Sequence, residues 1–192
     1  SAQGSGLALP LLATQILWIN LVTDGAPALA LGLEPAEPGL MCQPPRPRSE
    51  GVITGEMWAG IAFVGIIMAA GTLLVLDAAL PGGLIEGHKS LAHGQTMAFT
   101  TLTLYQLVNL FNARSDKASA FAGLLKNSWL WAAVALSLLL HACVLYLPPL
   151  QAAFSTVSLS VADWLRCALV ASSVLWLREM SKLAIRLSRQ TS

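Results

Sequence analysis

Charge is what this sequence has least of. Asp, Glu, Lys and Arg together make 11% of its 192 residues, against about 25% in an ordinary soluble domain. The few charges nearly cancel, to a formal net charge of +1, and no basic patch is interleaved with aromatics. That excludes the electrostatic footprint of a nucleic-acid binder. Cysteine is scarce as well. Cys42, Cys143 and Cys167 lie far apart with no metal-ligand spacing, and their odd number argues against a disulfide framework. No Gly-rich phosphate loop is present, nor any internal repeat or low-complexity tract. No charged n-region with a small-residue cleavage site opens the chain, so no signal peptide is expected.

What the sequence has in abundance is apolar length. It is 55% hydrophobic with a mean hydropathy of +0.66, the composition of an integral membrane protein. A span needs about 20 mostly apolar residues to cross the hydrocarbon core. By that rule the expected fold is an all-α, polytopic membrane bundle of five transmembrane helices, over 7–33, 57–80, 95–112, 129–147 and 162–185. The second span is rich in Gly60, Gly65, Ala69, Ala70 and Gly71, small residues that permit close helix approach. The third is short and polar, with Thr96, Thr100, Thr101, Thr103, Gln106 and Asn109. The fourth is nearly uniformly apolar, as a lipid-facing helix would be. The fifth ends in Arg178, Lys182, Arg186 and Arg189.

The connections alternate in charge. Arg46 and Arg48 lie in the first, Arg114, Lys117 and Lys126 in the third, whereas the second has only Lys89 and the fourth no basic residue. By the positive-inside rule the first and third connections and the carboxyl terminus are cytoplasmic, and the amino terminus is extracytoplasmic. The six tryptophans sit mostly near the expected span ends, as an aromatic belt does.

The richest stretch is Gln15 to Gly32, where a membrane-length segment carries Asp24 near its middle and Pro27 just after it. An ionisable group at that depth costs about 2.5–3.5 kcal/mol on insertion scales, so it marks an ion or substrate path. Asn20, Thr23 and Asp24 are three and four apart, which puts their oxygens on neighbouring positions of one helical face. Pro27 has no N–H, and its ring crowds the carbonyl of Thr23, so the helix is expected to break near Gly25-Pro27 and free that carbonyl. Carboxylate, amide, hydroxyl and carbonyl oxygens suit an alkali or alkaline-earth cation. The plainer reading is a packing helix with satisfied polar residues, which would need no Gly and Pro beside them. In the third span Gln106 and Asn109 are three apart, with Thr103 three before, forming a second polar face. Its alternatives are ligation and simple interhelical hydrogen bonding.

Leu17-Trp18-Ile19-Asn20-Leu21-Val22-Thr23-Asp24-Gly25, followed by Ala26-Pro27-Ala28-Leu29-Ala30-Leu31-Gly32, resembles the sixth transmembrane helix of P-type ATPases in the calcium-pump branch. The likeness continues through Glu34-Pro35 and Met41 to Pro44-Pro45-Arg46, and in span order it covers the chain. The resemblance implies the carboxyl-terminal transmembrane region of a pump, its sixth to tenth helices. The partners it implies are the first five helices and the remaining domains, within a lipid bilayer. It implies Ca2+ as the transported ion, with Asn20, Thr23 and Asp24 as ligands and Gln106 and Asn109 as contributors. Gln106 stands where two-calcium reticulum pumps have an acidic residue, which implies a single site. Mg-ATP would belong to the parent protein alone. The phosphorylated aspartate motif and the nucleotide and actuator domains are not in this sequence, so no ATPase activity is expected of it by itself. Sodium, proton or manganese transport, and a non-enzymatic scaffold or channel-like bundle, are the alternative readings. A bacterial inner membrane is the expected location.

The remaining polar residues draw plainer expectations. Asp77 is read as interfacial, His141 as a satisfied buried histidine, Asp163 and Arg166 as a local pair, Glu34 as a loop residue, and His88 and His93 as external-loop histidines.

Overall fold

The computed structural model describes residues 9–33, 55–80, 90–113 and 127–190. Six helices appear in them, and no strand: α1 (Ala13–Gly32), α2 (Gly55–Ala79), α3 (Leu91–Ala113), α4 (Ser128–Tyr146), α5 (Pro148–Phe154) and α6 (Val161–Gln190). The expected all-α class is therefore observed. A long helix, α1 to α4 and α6, lies within or across each of the five expected stretches with different bounds, and α5 is a short helix between α4 and α6. Among the described residues two helices, at Met57–Ala79 and Ser128–Tyr146, are long and apolar enough to cross a membrane by hydropathy alone.

The starts of α3, α4 and α6 follow from short polar residues just ahead of apolar runs. Ser90 Oγ accepts from His93 N (3.3 Å), and Asn127 Oδ1 accepts from Leu130 N (3.1 Å), each satisfying a backbone donor that the first turn leaves orphaned. Ser160 and Asp163 cap α6 reciprocally. Asp163 N donates to Ser160 Oγ (3.2 Å), while Ser160 N (3.2 Å) and its hydroxyl (2.7 Å) donate to Asp163 Oδ2. The cap at Ser90 moves the start of α3 to Leu91, four residues ahead of the expected span, and draws His93 out of the expected loop into the first helical turn.

α3 is the hub, packed between α2, α6 and α1, while α4 lies on α1 and α5. Two of its threonines suit that position because their hydroxyls are satisfied inside the helix. Thr96 Oγ1 donates to the Ala92 carbonyl (2.7 Å) and Thr103 Oγ1 to the Phe99 carbonyl (2.9 Å). Met68 and Val75 of α2, Met97 and Leu104 of α3, and Cys167, Ala171 and Val174 of α6 fill the main core. Cys143 and Cys167 are free thiols, and Cys42 lies outside the described residues.

Two expectations are corrected. α4 is apolar but not uniformly lipid-facing: Leu130, Ala133, Val134, Ser137, His141, Val144 and Leu145 are buried in the bundle, while Trp129, Leu136 and Leu139 are exposed. α1 is not broken. It runs unbroken from Ala13 to Gly32 with Pro27 inside it. The fixed φ of proline, about −65°, is itself helical, so the ring removes one hydrogen bond without forbidding the helical path.

Candidate cation site

α1 turns one stripe into the bundle, made by Gln15, Ile19, Val22, Thr23, Pro27 and Ala30. Asn20 and Asp24 stand outside that stripe and are exposed. Successive helical residues differ by about 100° around the axis, so Thr23 sits about 100° from Asp24 and about 60° from Asn20. The expected common face is therefore split. Asn20 and Asp24 project together from the open side, whereas the Thr23 hydroxyl points inward and donates to the Ile19 carbonyl (2.8 Å). What Thr23 offers toward a cation is its main-chain oxygen, which has no donor four residues on because that residue is Pro27.

On α3, Gln106 and Asn109 are half-buried. The Asn109 Oδ1 accepts from Asn112 Nδ2 (3.3 Å), which also reaches the Val174 carbonyl on α6 at 3.5 Å. Asn109 thus belongs to the α3–α6 contact, while Gln106 makes no such tie. α1 packs on α3, yet among the described residues no hydrogen bond joins Gln106 or Asn109 to Asn20, Thr23 or Asp24. Nor do the described residues hold a group of three or more His, Cys, Asp or Glu able to take a metal ion. A hard divalent cation takes about six to eight oxygens, more than α1 alone presents beside Asp24.

Other polar residues were not legible in their roles. Ser137 Oγ of α4 donates to the Val22 carbonyl (2.9 Å), and Asn127 Nδ2 donates to the Ala30 carbonyl (2.9 Å). Gln15, fully buried, accepts from Leu12 N (3.1 Å) and donates to the Phe154 carbonyl at the end of α5 (3.1 Å). Trp18 stacks edge-on against Phe154, with centroids 5.1 Å apart. No spacing rule exposes such ties, since their acceptors are carbonyls far away in sequence. The expected Asp163–Arg166 pair is present at 3.6 Å, joined by His93 Nε2 at 3.3 Å from Asp163. His141 is buried against Phe99 with Nε2 3.1 Å from Thr100 Oγ1, while its Nδ1 has no hydrogen-bond partner. His88 and Glu34 lie outside the described residues.

Residues 8–184 match the family model described as cation transporting ATPase, C-terminus. The chain is 37% identical over 188 residues to calcium-transporting ATPase 1 of Yarrowia lipolytica, covering 97% of this chain and 20% of that protein. It is 39% identical over 162 residues to the calcium-transporting ATPase of Bacillus subtilis, covering 83% and 17%. To calcium-transporting ATPase type 2C member 1 of Mus musculus it is 36% identical over 174 residues, covering 90% and 18%. The chain thus spans about a fifth of the length of these relatives.

Proposed function

The chain belongs to the C-terminal family of cation-transporting ATPases, and from that premise we propose that it is the ion-binding membrane portion of an ATP-driven calcium pump. One observation carries the reading. Asp24 stands with Asn20 on the open face of a membrane-length helix, next to a Thr23 carbonyl that Pro27 deprives of its donor. Against lipid, that carboxylate would cost about 2.5–3.5 kcal/mol. In the complete pump the face is therefore covered by helices from the rest of the protein, which add the missing oxygen ligands.

Each ligand then has a role. Asp24 supplies the charge and bridges toward the covering helices, Asn20 contributes its amide oxygen, and Thr23 its carbonyl. Gln106 adds a neutral oxygen from α3. A single carboxylate on this side supports one calcium per cycle. Phosphoryl transfer from Mg-ATP takes place in the other domains of the pump, which couple to α1 through the membrane. Basic connections on alternate sides support an extracytoplasmic amino terminus and a cytoplasmic carboxyl terminus. A bacterial plasma membrane is the proposed location, although relatives of 37% and 39% identity occur in Yarrowia lipolytica and Bacillus subtilis alike.

The test is Asp24→Asn in the complete pump. Calcium-dependent phosphorylation by ATP is expected to be lost; a normal calcium dependence in that variant rejects the role. Cation competition in the wild-type protein decides between calcium and sodium, protons or manganese.

A further inference from the structure

α1 carries the charge of the site, yet it is the helix with a missing rung. Between Thr23 and Pro27 one backbone hydrogen bond cannot form, so that turn is the most compliant part of the rod. The bonds on either side of it come from α4. The Ser137 hydroxyl holds the Val22 carbonyl at 2.9 Å just before the weak turn, and the Asn127 amide holds the Ala30 carbonyl at 2.9 Å just after it. Val22 and Ala30 are about 12 Å apart along α1, and Asn127 and Ser137 about 15 Å along the opposing chain, so the two ties bracket the weak turn.

The Ser137 bond is a choice that the in-helix threonines Thr23, Thr96 and Thr103 do not make. Each satisfies itself on a carbonyl one turn back in its own helix, the usual arrangement for such residues. Ser137 reaches across to α1 instead, and at 1% exposure no water competes for its donor. Its acceptor also matters. A tie to a main-chain oxygen fixes the depth and rotation of the helix itself, whatever the side chains do. Val22 is buried and its carbonyl is held by α4, while Asp24, two residues on, projects about 200° further round the axis, to the open side. A rotation or slip of α1 at Val22 is therefore transmitted directly to the Asp24 carboxylate.

We infer that Ser137 is a positioning residue for the cation site. With Asn127 it braces the proline-weakened turn of α1 on α4 and so sets where Asp24 stands. This rests on the proposed calcium-pump reading and adds to it a residue that never touches the ion. Ser137, rather than Asn127, is the clean probe, because Asn127 also caps α4 through Leu130 N.

The experiment compares Ser137→Ala and Ser137→Thr in the complete pump, with Asp24→Asn as control. Three quantities are read: the calcium concentration for half-maximal phosphorylation, the maximal phosphoenzyme level, and thermal stability in detergent. Ser137→Ala is expected to raise the half-maximal calcium concentration about threefold to tenfold, the size of one interhelical hydrogen bond in a membrane. The maximal level and the melting temperature should stay near wild type, and Ser137→Thr, which keeps the hydroxyl, should restore the affinity. An unchanged calcium dependence in Ser137→Ala overturns the brace. A loss of affinity accompanied by a fall in melting temperature and not rescued by threonine also overturns it, as simple packing damage. If Asp24→Asn itself leaves calcium dependence intact, the failure belongs to the pump reading instead.

Discussion

Tyr105 of α3 and Ser173 of α6 meet hydroxyl to hydroxyl at 3.0 Å, and the Tyr105 ring lies directly against Gly71 of α2. A Cβ placed on Gly71 would collide with the Tyr105 oxygen. The smallness that the sequence reads as close helix approach is thus a requirement at one atom. Three helices share that point.

Gly71→Ala should therefore force Tyr105 away from Ser173 and open the junction. Overpacking of this kind costs about 1–3 kcal/mol. A lowered melting temperature in detergent checks it, and Gly65→Ala, with nothing within 4 Å of its Cβ, should be near neutral.

Asp163 is 2% exposed and ties the start of α6 to Ser160 and to His93 of α3. Asp163→Ala removes the cap and strands the donors it satisfied, so a loss of about 1–3 kcal/mol is expected. Denaturation of the purified protein, monitored by tryptophan fluorescence, measures it. Arg166→Ala should do much less, since that side chain is 68% exposed and exposed pairs contribute about 0–1 kcal/mol.

Asn127 separates two jobs that one residue performs. Asn127→Asp keeps the oxygen that caps Leu130 N but loses the donor to the Ala30 carbonyl, whereas Asn127→Ala loses both. Alanine is expected to cost about 0.5–2 kcal/mol for the cap alone. If melting temperatures show aspartate as damaging as alanine, the interhelical tie is the dominant part.

Gln106 and Asn109 should part company in transport assays of the complete pump. Asn109 already accepts from Asn112, so Asn109→Ala should act mainly on stability. Gln106 has no such partner, so Gln106→Ala should weaken calcium activation, and Gln106→Glu, by adding a carboxylate, should strengthen it. Equal effects of Gln106→Ala and Asn109→Ala on calcium affinity would contradict this assignment.

The helices were legible because apolar runs of about 20 residues favour them: α2 and α4 are apolar enough to cross a membrane by hydropathy, while α1, α3 and α6 carry more polar residues along the same length. Helix starts were only partly so. Ser90, Asn127 and Ser160 are ordinary capping residues in plain view, yet hydropathy alone began α3 at Gln95 and left His93 in a loop. Pro27 misled in the other direction. In sequence it reads as a break, yet it removes a single bond from a helix held on both sides of the gap.

By itself the sequence determined that this is a membrane protein of helices, and that Asn20, Asp24 and Pro27 share one of them. Composition, spacing and the covalent chemistry of proline act locally and need no partner. Only the tertiary structure decided that Thr23 turns inward while Asp24 turns out, and that Ser137 and Asn127 grip α1 by its carbonyls. Which face of a helix is buried depends on what packs against it, and a main-chain acceptor leaves no mark on the residue that carries it.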